Sequence, residues 1–421
     1  MAFISLFDDR AKPKGTRDPL GFEMVWTYFG RKVVGNLTTI TRSVNNFSVA
    51  LLGFYWANEI NKHIDKLDRH KKILETFLRY EQLANYLRYM ANKKEDILGI
   101  TRVRERIEDS NYTLWLSPER KYQILSNQTG YGLWGFYTTA LQAVDNVDPQ
   151  KGLIVGNDRV PTREGEILAE LIISKLDDSA DDLYGLVTKN RKLDRTQLKS
   201  FAKIFMKAIS DSEVRDKLVG QLMTGFGVPA GEHNIQSMLW RTTNHLFNEG
   251  EKFENTRDFA FKIIESEQTN VKLKKEIEKI DCIERFLYTA NTIFEYCQTQ
   301  NDELVSNVVS RLSNHFTNVS YLPVSLPDSN YRNKDALSQI LTYMSDKDWY
   351  RVVLGLLELN KNVMDGRGGA AWVTLEGEKL KVKVPDSNAK LIETEILQSK
   401  WRYNYFLSSY LLISQTQLGV A

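Results

Sequence analysis

A chain of 421 residues with 42% hydrophobic and 11% aromatic residues holds enough apolar material for two or three packed domains. Its 9 Pro and 24 Gly are too few for a disordered chain or a turn-rich β-sandwich, and they favour long helices. Because 56 basic residues face 54 acidic ones, a global basic field is excluded, and any nucleic-acid contact must come from local patches. Two cysteines, Cys282 and Cys297, make neither a disulfide framework nor a zinc site. A reduced, cytoplasmic setting is expected, with no cofactor and no metal. The N-terminal stretch MAFISLFDDRAKPKG has its charges in the wrong place for a signal peptide. The longest apolar run, Phe47–Ala57, is too short to span a bilayer and reads as a core helix, so no membrane partner is expected.

In chain order, residues 1–18 read as a basic, extended arm carrying Lys12, Lys14 and Arg17. Asp18-Pro19 opens a helix, with Asp as N-cap and Pro in the first turn, and Gly35-Asn36 breaks it. An apolar helix over Val44–Ile64 follows. The next, over Arg69–Met90, repeats Ile73, Phe77, Leu83 and Leu87 at helical spacing. "TRVRERIED" (101–109) is charge-dense and reads as a solvated helix face. Ser117-Pro118-Glu119 opens a helix that breaks at Asn127–Gly132, and a second helix is predicted over Leu133–Val144.

Residues 152–161 then read as a hairpin around Gly-Asn-Asp-Arg, and Thr162 caps an amphipathic helix in which Gly165 permits close packing. From about 183 to 365 the pattern is again helical. "YLPVSLPDSNYRN" (321–333) reads as a long loop, and "DGRGGAAW" (365–372) as a flexible lead into the next hairpin. In "AAWVTLEGEKLKVKVP" the outer positions are Thr374, Glu376, Lys379, Lys381 and Lys383, while Val373, Leu375, Leu380, Val382 and Val384 face inward. Period-two alternation about a Gly-containing turn predicts a β-hairpin. A last helix, rich in aromatic residues, is expected over Leu391–Leu412.

The fold class expected is mainly α: helical domains around a winged-helix-like unit, with a small C-terminal β-hairpin. Four stretches are anticipated. Residues 1–110 form an N-terminal helical domain with its basic arm, and 111–182 the winged-helix-like domain. Residues 183–330 form a further helical domain, and 331–421 a C-terminal helical segment with the hairpin. The segment "VPTREGEILAELI" resembles the strand-turn-helix ending of many winged-helix proteins. Such a unit lays its second helix on DNA. Here Leu133–Val144 offers only Thr138, Thr139 and Gln142 to base edges, which weakens base readout.

Candidate nucleic-acid-binding residues are therefore cations elsewhere. In the winged-helix-like stretch they are Arg120, Lys121, Arg159 at the wing tip and Arg163, beside Lys151; on the C-terminal hairpin they are Arg367, Lys379, Lys381 and Lys383. The lysines also fit plain protection of an edge strand. Aromatic clusters at 131–137 and 401–410 suit base stacking, core packing or partner contact. No catalytic residue is assigned. "RTTNH" (241–245) and "RLSNH" (311–315) place Arg and His one helical turn apart. Helical ribonucleases of the HEPN type use a similar pair, with wider spacing.

The strings "DPLGFEMVWTYFGRKVVGNLTTITRSVNNFSVALLGFYW" and "GRGGAAWVTLEGEKLKVKV", with the segment around 152–172, resemble uncharacterised proteins encoded in bacterial anti-phage defence loci. The resemblance implies a non-catalytic nucleic-acid-sensing or adaptor subunit of a multi-protein defence complex. Its partners would be other protein subunits, such as an ATPase or nuclease, and DNA or RNA. The alternatives are a ribonuclease effector using His245 or His315, and a purely structural scaffold.

Overall fold

The structure, a computed structural model, describes residues 18–143, 148–226, 234–317, 326–327 and 333–417. Nearly all of the expected basic arm and most of the 321–333 loop lie outside the described residues. Helices take up 63% of the described residues, so the mainly α class holds. In chain order they are α1 (Glu23–Val33), α2 (Val44–Ile60), α3 (Lys66–Ala91), α4 (Ile100–Glu108), α5 (Gln128–Tyr131), α6 (Leu133–Phe136), α7 (Thr138–Leu141), α8 (Arg163–Ser174), α9 (Ser179–Val187) and α10 (Arg195–Ile209). There follow α11 (Ser212–Met223), α12 (Ile235–Asn248), α13 (Thr256–Glu265), α14 (Val271–Cys297), α15 (Val305–His315), α16 (Lys334–Ser345), α17 (Trp349–Gly366), α18 (Thr394–Ser399) and α19 (Leu407–Gln417). Six short strands, β1 (Trp115–Leu116), β2 (Ile154–Val155), β3 (Val160–Pro161), β4 (Arg191–Lys192), β5 (Val373–Glu376) and β6 (Lys379–Val382), pair antiparallel as β1–β4, β2–β3 and β5–β6. Among the described residues no helix is long and apolar enough to cross a membrane.

The chain divides into two compact units. The larger holds Val34–Lys252 and Phe406–Ala421, the smaller Met1–Val33 and Phe253–Tyr405. Of the four stretches anticipated from sequence, only 111–182 falls wholly within one unit, the larger.

The larger unit is built on α2 and α3. Helix α2 is apolar on every side and buried over most of its length, as a central helix must be. Helix α3 packs against it, α10 lies along α3, and α8 and α11 cover α2. Beyond its apolar face, α3 carries a buried polar row: Arg79, Glu81, Gln82, Asn85 and Arg88. Arg88 donates to the Asn46 side chain (2.7 Å), the Glu95 carboxylate (2.9 Å) and the Asp96 carbonyl (2.9 Å). Gln82 exchanges two hydrogen bonds with the Ser117 backbone (2.8 and 3.0 Å). Glu81 accepts from the Leu133 amide (2.6 Å) and from Gln128 Nε2 (2.8 Å). Gln128 Oε1 in turn accepts from the Ile124 amide at 3.2 Å.

This row corrects the sequence reading of residues 117–144. A helix was expected to open at Ser117, but only a 3-10 turn forms at Arg120–Tyr122. The helix expected over Leu133–Val144 is instead two single turns, α6 and α7, preceded by a third, α5. The amide of Ile124, which the first expected helix would bond internally, is taken by the Gln128 side chain, and the amides of Ser117 and Leu133, which would open the two helices, are held by Gln82 and Glu81 of α3. At Gly132 the contact is close enough that a Cβ would lie 2.4 Å from the Gln128 carbonyl and 2.6 Å from the Glu81 carboxylate. The anticipated recognition helix of a winged-helix unit is therefore absent as a continuous element.

Its hairpin and the following helix do form. Ile154 pairs with Pro161 and Val155 with Val160. Thr162 caps α8, accepting from the Gly165 amide (3.2 Å) while its hydroxyl donates to the Gly152 carbonyl (2.6 Å). A Cβ on Gly165 would sit 2.0 Å from the Leu153 carbonyl oxygen, backbone against backbone. Alanine is the better helix former by about 1 kcal/mol, but overpacking of this kind costs about 1–3 kcal/mol and wins. Gly165→Ala is expected to lower the denaturant midpoint, and an unchanged or higher midpoint would contradict the contact.

The smaller unit centres on α14, against which α1, α13 and α17 pack. Here the sequence reading needs a second correction. The last helix, expected over Leu391–Leu412, is interrupted: α18 ends at Ser399 and α19 begins at Leu407. The intervening strap is held by side chains of α14. Glu284 accepts from the amides of Arg402 and Tyr403 and from the Tyr405 hydroxyl (2.6 Å). Asp281 accepts from the Trp401 indole (2.9 Å), Asn291 donates to the Tyr403 hydroxyl (2.8 Å), and Glu295 pairs with both terminal nitrogens of Arg402. Tyr405 and Phe406 take left-handed φ values of 49° and 65°, incompatible with a helix. The rings of Trp26 and Tyr403 stack at 5.7 Å, so these aromatics serve packing.

The C-terminal hairpin forms about the expected turn, with Val373 and Leu380 buried, but Leu375, expected to face inward, is exposed. Val373 faces Val382 and Leu375 faces Leu380, while Thr374 pairs with Lys381 and Glu376 with Lys379. The free side of β6 is bonded to the segment before α15, through Leu380 N to Glu303 O (2.9 Å) and Asp302 N to Leu380 O (2.8 Å).

Burial pushes the Glu284 carboxyl up to about 8, against the three hydrogen bonds that favour its charge, and likewise pushes Glu81 up to about 7. Both folded values exceed the unfolded value of 4.5. The folded chain therefore holds extra protons between those limits, and the associated stability is lost as pH rises toward 8. The melting temperature is expected to fall between about pH 5 and pH 9. Glu284→Gln, which retains acceptor and donor without the charge, is expected to flatten part of that fall; an unaltered slope would contradict the assignment.

Candidate nucleic-acid interface

Helix α4 sets the site. Arg102, Glu105, Arg106 and Asp109 recur at i, i+3, i+4 and i+7, so they share one face, while Val103 is buried on another. That face forms one wall of an open cleft of about 750 Å³ in the larger unit. The other wall comes from the 3-10 turn and its neighbours: Arg120, Lys121 and Ser126, with Tyr112 at the bend between the two. Four cations and two carboxylates line it, so its local balance is positive where the whole chain is nearly neutral.

Two arginines assemble the walls. Arg106 donates from Nη1 to the Tyr122 carbonyl (2.5 Å) and from Nη2 to the carbonyls of Lys121 (3.3 Å) and Gln123 (2.9 Å). Arg195, in the first turn of α10, donates to the carbonyls of Arg106, Ile107, Asp109 and Tyr112, at 2.6–2.8 Å. The last carbonyls of α4 have no partners within the helix, and a guanidinium satisfies them while matching the negative end of the helix dipole.

The other cations are less engaged. Arg120 is exposed, and Arg102 makes one long bond to the Gln123 carbonyl (3.3 Å). Lys121 lies 4.8 Å from the Tyr122 ring centroid and 3.2 Å from Glu119, whose carboxylate raises its pKa. Rings border the same wall: Tyr122 stacks on Trp115 at 5.7 Å, and the Arg106 guanidinium lies 5.5 Å from the Tyr112 ring.

Of the eight cations singled out in the sequence, Arg120 and Lys121 thus come together in the cleft. Arg159 does not join them. Its guanidinium lies 4.1 Å from the Trp134 ring, with Nε donating to Thr138 Oγ1 at 3.2 Å. Arg163 is exposed on the first turn of α8, 3.7 Å from Glu166. The other four belong to the smaller unit. There Arg367 donates to the Asp18 carbonyl (2.7 Å), Lys381 pairs with Asp302 (3.0 Å), and Lys379 and Lys383 are exposed. The sequence reading missed Arg102, Glu105, Arg106, Asp109 and Tyr112. The signal was present in their helical spacing, but "TRVRERIED" taken alone looks like any solvated face.

The two Arg–His strings fall in different units. His245 lies in the larger unit and His315 in the smaller. Nε2 of His315 is 2.7 Å from the Ile392 carbonyl, and Arg311 is held by Gln300 (2.7 Å) and Glu303 (3.6 Å). Among the described residues no group of three or more His, Cys, Asp or Glu side chains is placed to hold a metal ion. No protein-family model, curated protein or solved structure matches the chain.

The two kinds of arginine separate experimentally. Arg106→Ala removes the donor from the Tyr122 and Lys121 carbonyls and the shorter of two donors from the Gln123 carbonyl, and is expected to lower stability by about 2 kcal/mol. Arg120→Ala, at an exposed side chain, is expected to stay within about 0.5 kcal/mol of the parent. Equal effects in chemical denaturation would contradict the division.

Proposed function

We propose that this chain is a non-catalytic nucleic-acid-binding subunit, gripping a sugar–phosphate backbone in the α4 cleft. The observation that carries the reading is the convergence of Arg102, Arg120 and Lys121 from the two walls of one cleft beside tyrosine rings. Cations with few internal partners are the groups that release counterions from phosphates, and aromatic faces accept bases without regard to sequence. The helix at the cleft, α4, forms a wall of a concavity, which favours backbone contact over insertion into a major groove. The resemblance to proteins of bacterial anti-phage defence loci supports placing the subunit beside an effector such as an ATPase or nuclease. In such a complex this chain senses or docks, and the partner carries out the reaction.

Fluorescence anisotropy with labelled oligonucleotides tests the reading. Binding at about 50 mM salt should weaken steeply by about 200 mM. The triple variant Arg102→Ala, Arg120→Ala, Lys121→Ala should lose at least about tenfold in affinity and flatten the log–log salt slope by about two. Absence of binding at low salt, or a triple variant that binds like the parent, would refute it.

A further inference from the structure

The cleft's lining is not that of a plain phosphate groove. Glu105 and Asp109 stand on the same face of α4 as Arg102 and Arg106. A carboxylate beside a polyphosphate track repels it, so a wall meant only for backbone would omit both. Asp109 is partly used, accepting from the Asn111 amide at 2.9 Å. Glu105 is exposed, and its carboxylate has no hydrogen-bond or ion-pair partner among the described residues. Such a group is an acceptor only and recognises donors. Tyr112 completes the set: its ring lines the cleft and is only partly buried, with the Arg106 guanidinium near it.

Resting on the reading above, we propose that the cleft receives an unpaired guanine nucleotide, as part of a single strand or free in solution. Its phosphate meets Arg102, Arg120 and Lys121, its base stacks on Tyr112, and its Watson–Crick edge meets Glu105. The choice of base follows from donor geometry. Guanine sets two adjacent donors, N1–H and the 2-amino group, against the two oxygens of one carboxylate. Adenine and cytosine each place a ring acceptor beside their amino group, and uracil flanks its single N–H with two carbonyls. The mismatched oxygens in those three cases face lone pairs rather than hydrogens. Duplex nucleic acid buries these edges in pairing, and its rigid convex surface does not enter a concavity of about 750 Å³, a volume in the range of small-ligand pockets.

The test uses the full chain and short labelled uridine strands with one central guanosine, adenosine or inosine, the last lacking the 2-amino group. The guanosine strand should bind about tenfold more tightly than the adenosine strand, the discrimination of one good bidentate pair. The inosine strand should fall between them. Glu105→Gln, a surface change that leaves the fold intact, should bring the guanosine-to-adenosine ratio close to one. Tyr112→Ala should weaken all three strands alike, while Tyr112→Phe should restore them. Competition with guanosine monophosphate separates the sources: displacement by the free nucleotide means that the nucleotide alone suffices, and displacement only by the strand means that neighbouring phosphates are required. Tighter binding of a blunt duplex, or equal binding of all bases by the parent, would overturn this inference while leaving the backbone-binding reading in place. No binding of any strand would remove both.

Discussion

The larger unit depends on one arrangement, the buried polar row of α3. A helix in the centre of a core usually presents apolar side chains there. Here Glu81, Gln82 and Arg88 are fully buried and spend their hydrogen bonds on backbone and side chains of other segments. A buried polar group without partners costs about 1–3 kcal/mol, so each of these bonds dictates where its partner must sit. The consequence is a segment, 117–141, that keeps a defined path with only single helical turns. The 3-10 turn bearing Arg120 and Lys121 is part of that path.

The smaller unit uses the same device. On α14, Asp281, Glu284, Asn291 and Glu295 lie on one face at intervals of three, seven and four residues, and all four bond the strap at 401–405. In both units an acidic residue held well inside a long helix organises the backbone of a distant, irregular stretch. Desolvation of that carboxyl opposes its ionisation in each case. The arrangement ties local chain path to protonation state.

At the cleft, arginines divide by what they touch. Arg106 and Arg195 spend their donors on main-chain carbonyls and belong to the architecture. Arg102 and Arg120 keep most of theirs for solvent or ligand. The same division separates Arg159, laid over Trp134, from Arg163, which is exposed. Sequence cannot tell a structural guanidinium from a binding one, because both are Arg and the difference is the distance to a carbonyl remote in the chain. The cleft therefore retains two of the eight cations singled out in sequence and adds others from a helix that looked merely solvated.

Part of this architecture follows from local rules alone. Apolar spacing located α2 and α3, Thr162 marked the start of α8, and period-two alternation marked the strands and pairing of the C-terminal hairpin, though not the exposure of Leu375. Each of these rests on residues within a turn or two of one another. The path of 117–141, the break at 401–406 and the membership of the cleft follow from contacts between segments remote in the chain. There the deciding bonds span many residues: 52 between Glu81 and Leu133, and 121 between Glu284 and Tyr405. A buried acceptor far along the chain outweighs local helix propensity, because the propensity is worth at most about 1 kcal/mol per ordinary residue and an unmade buried hydrogen bond costs more.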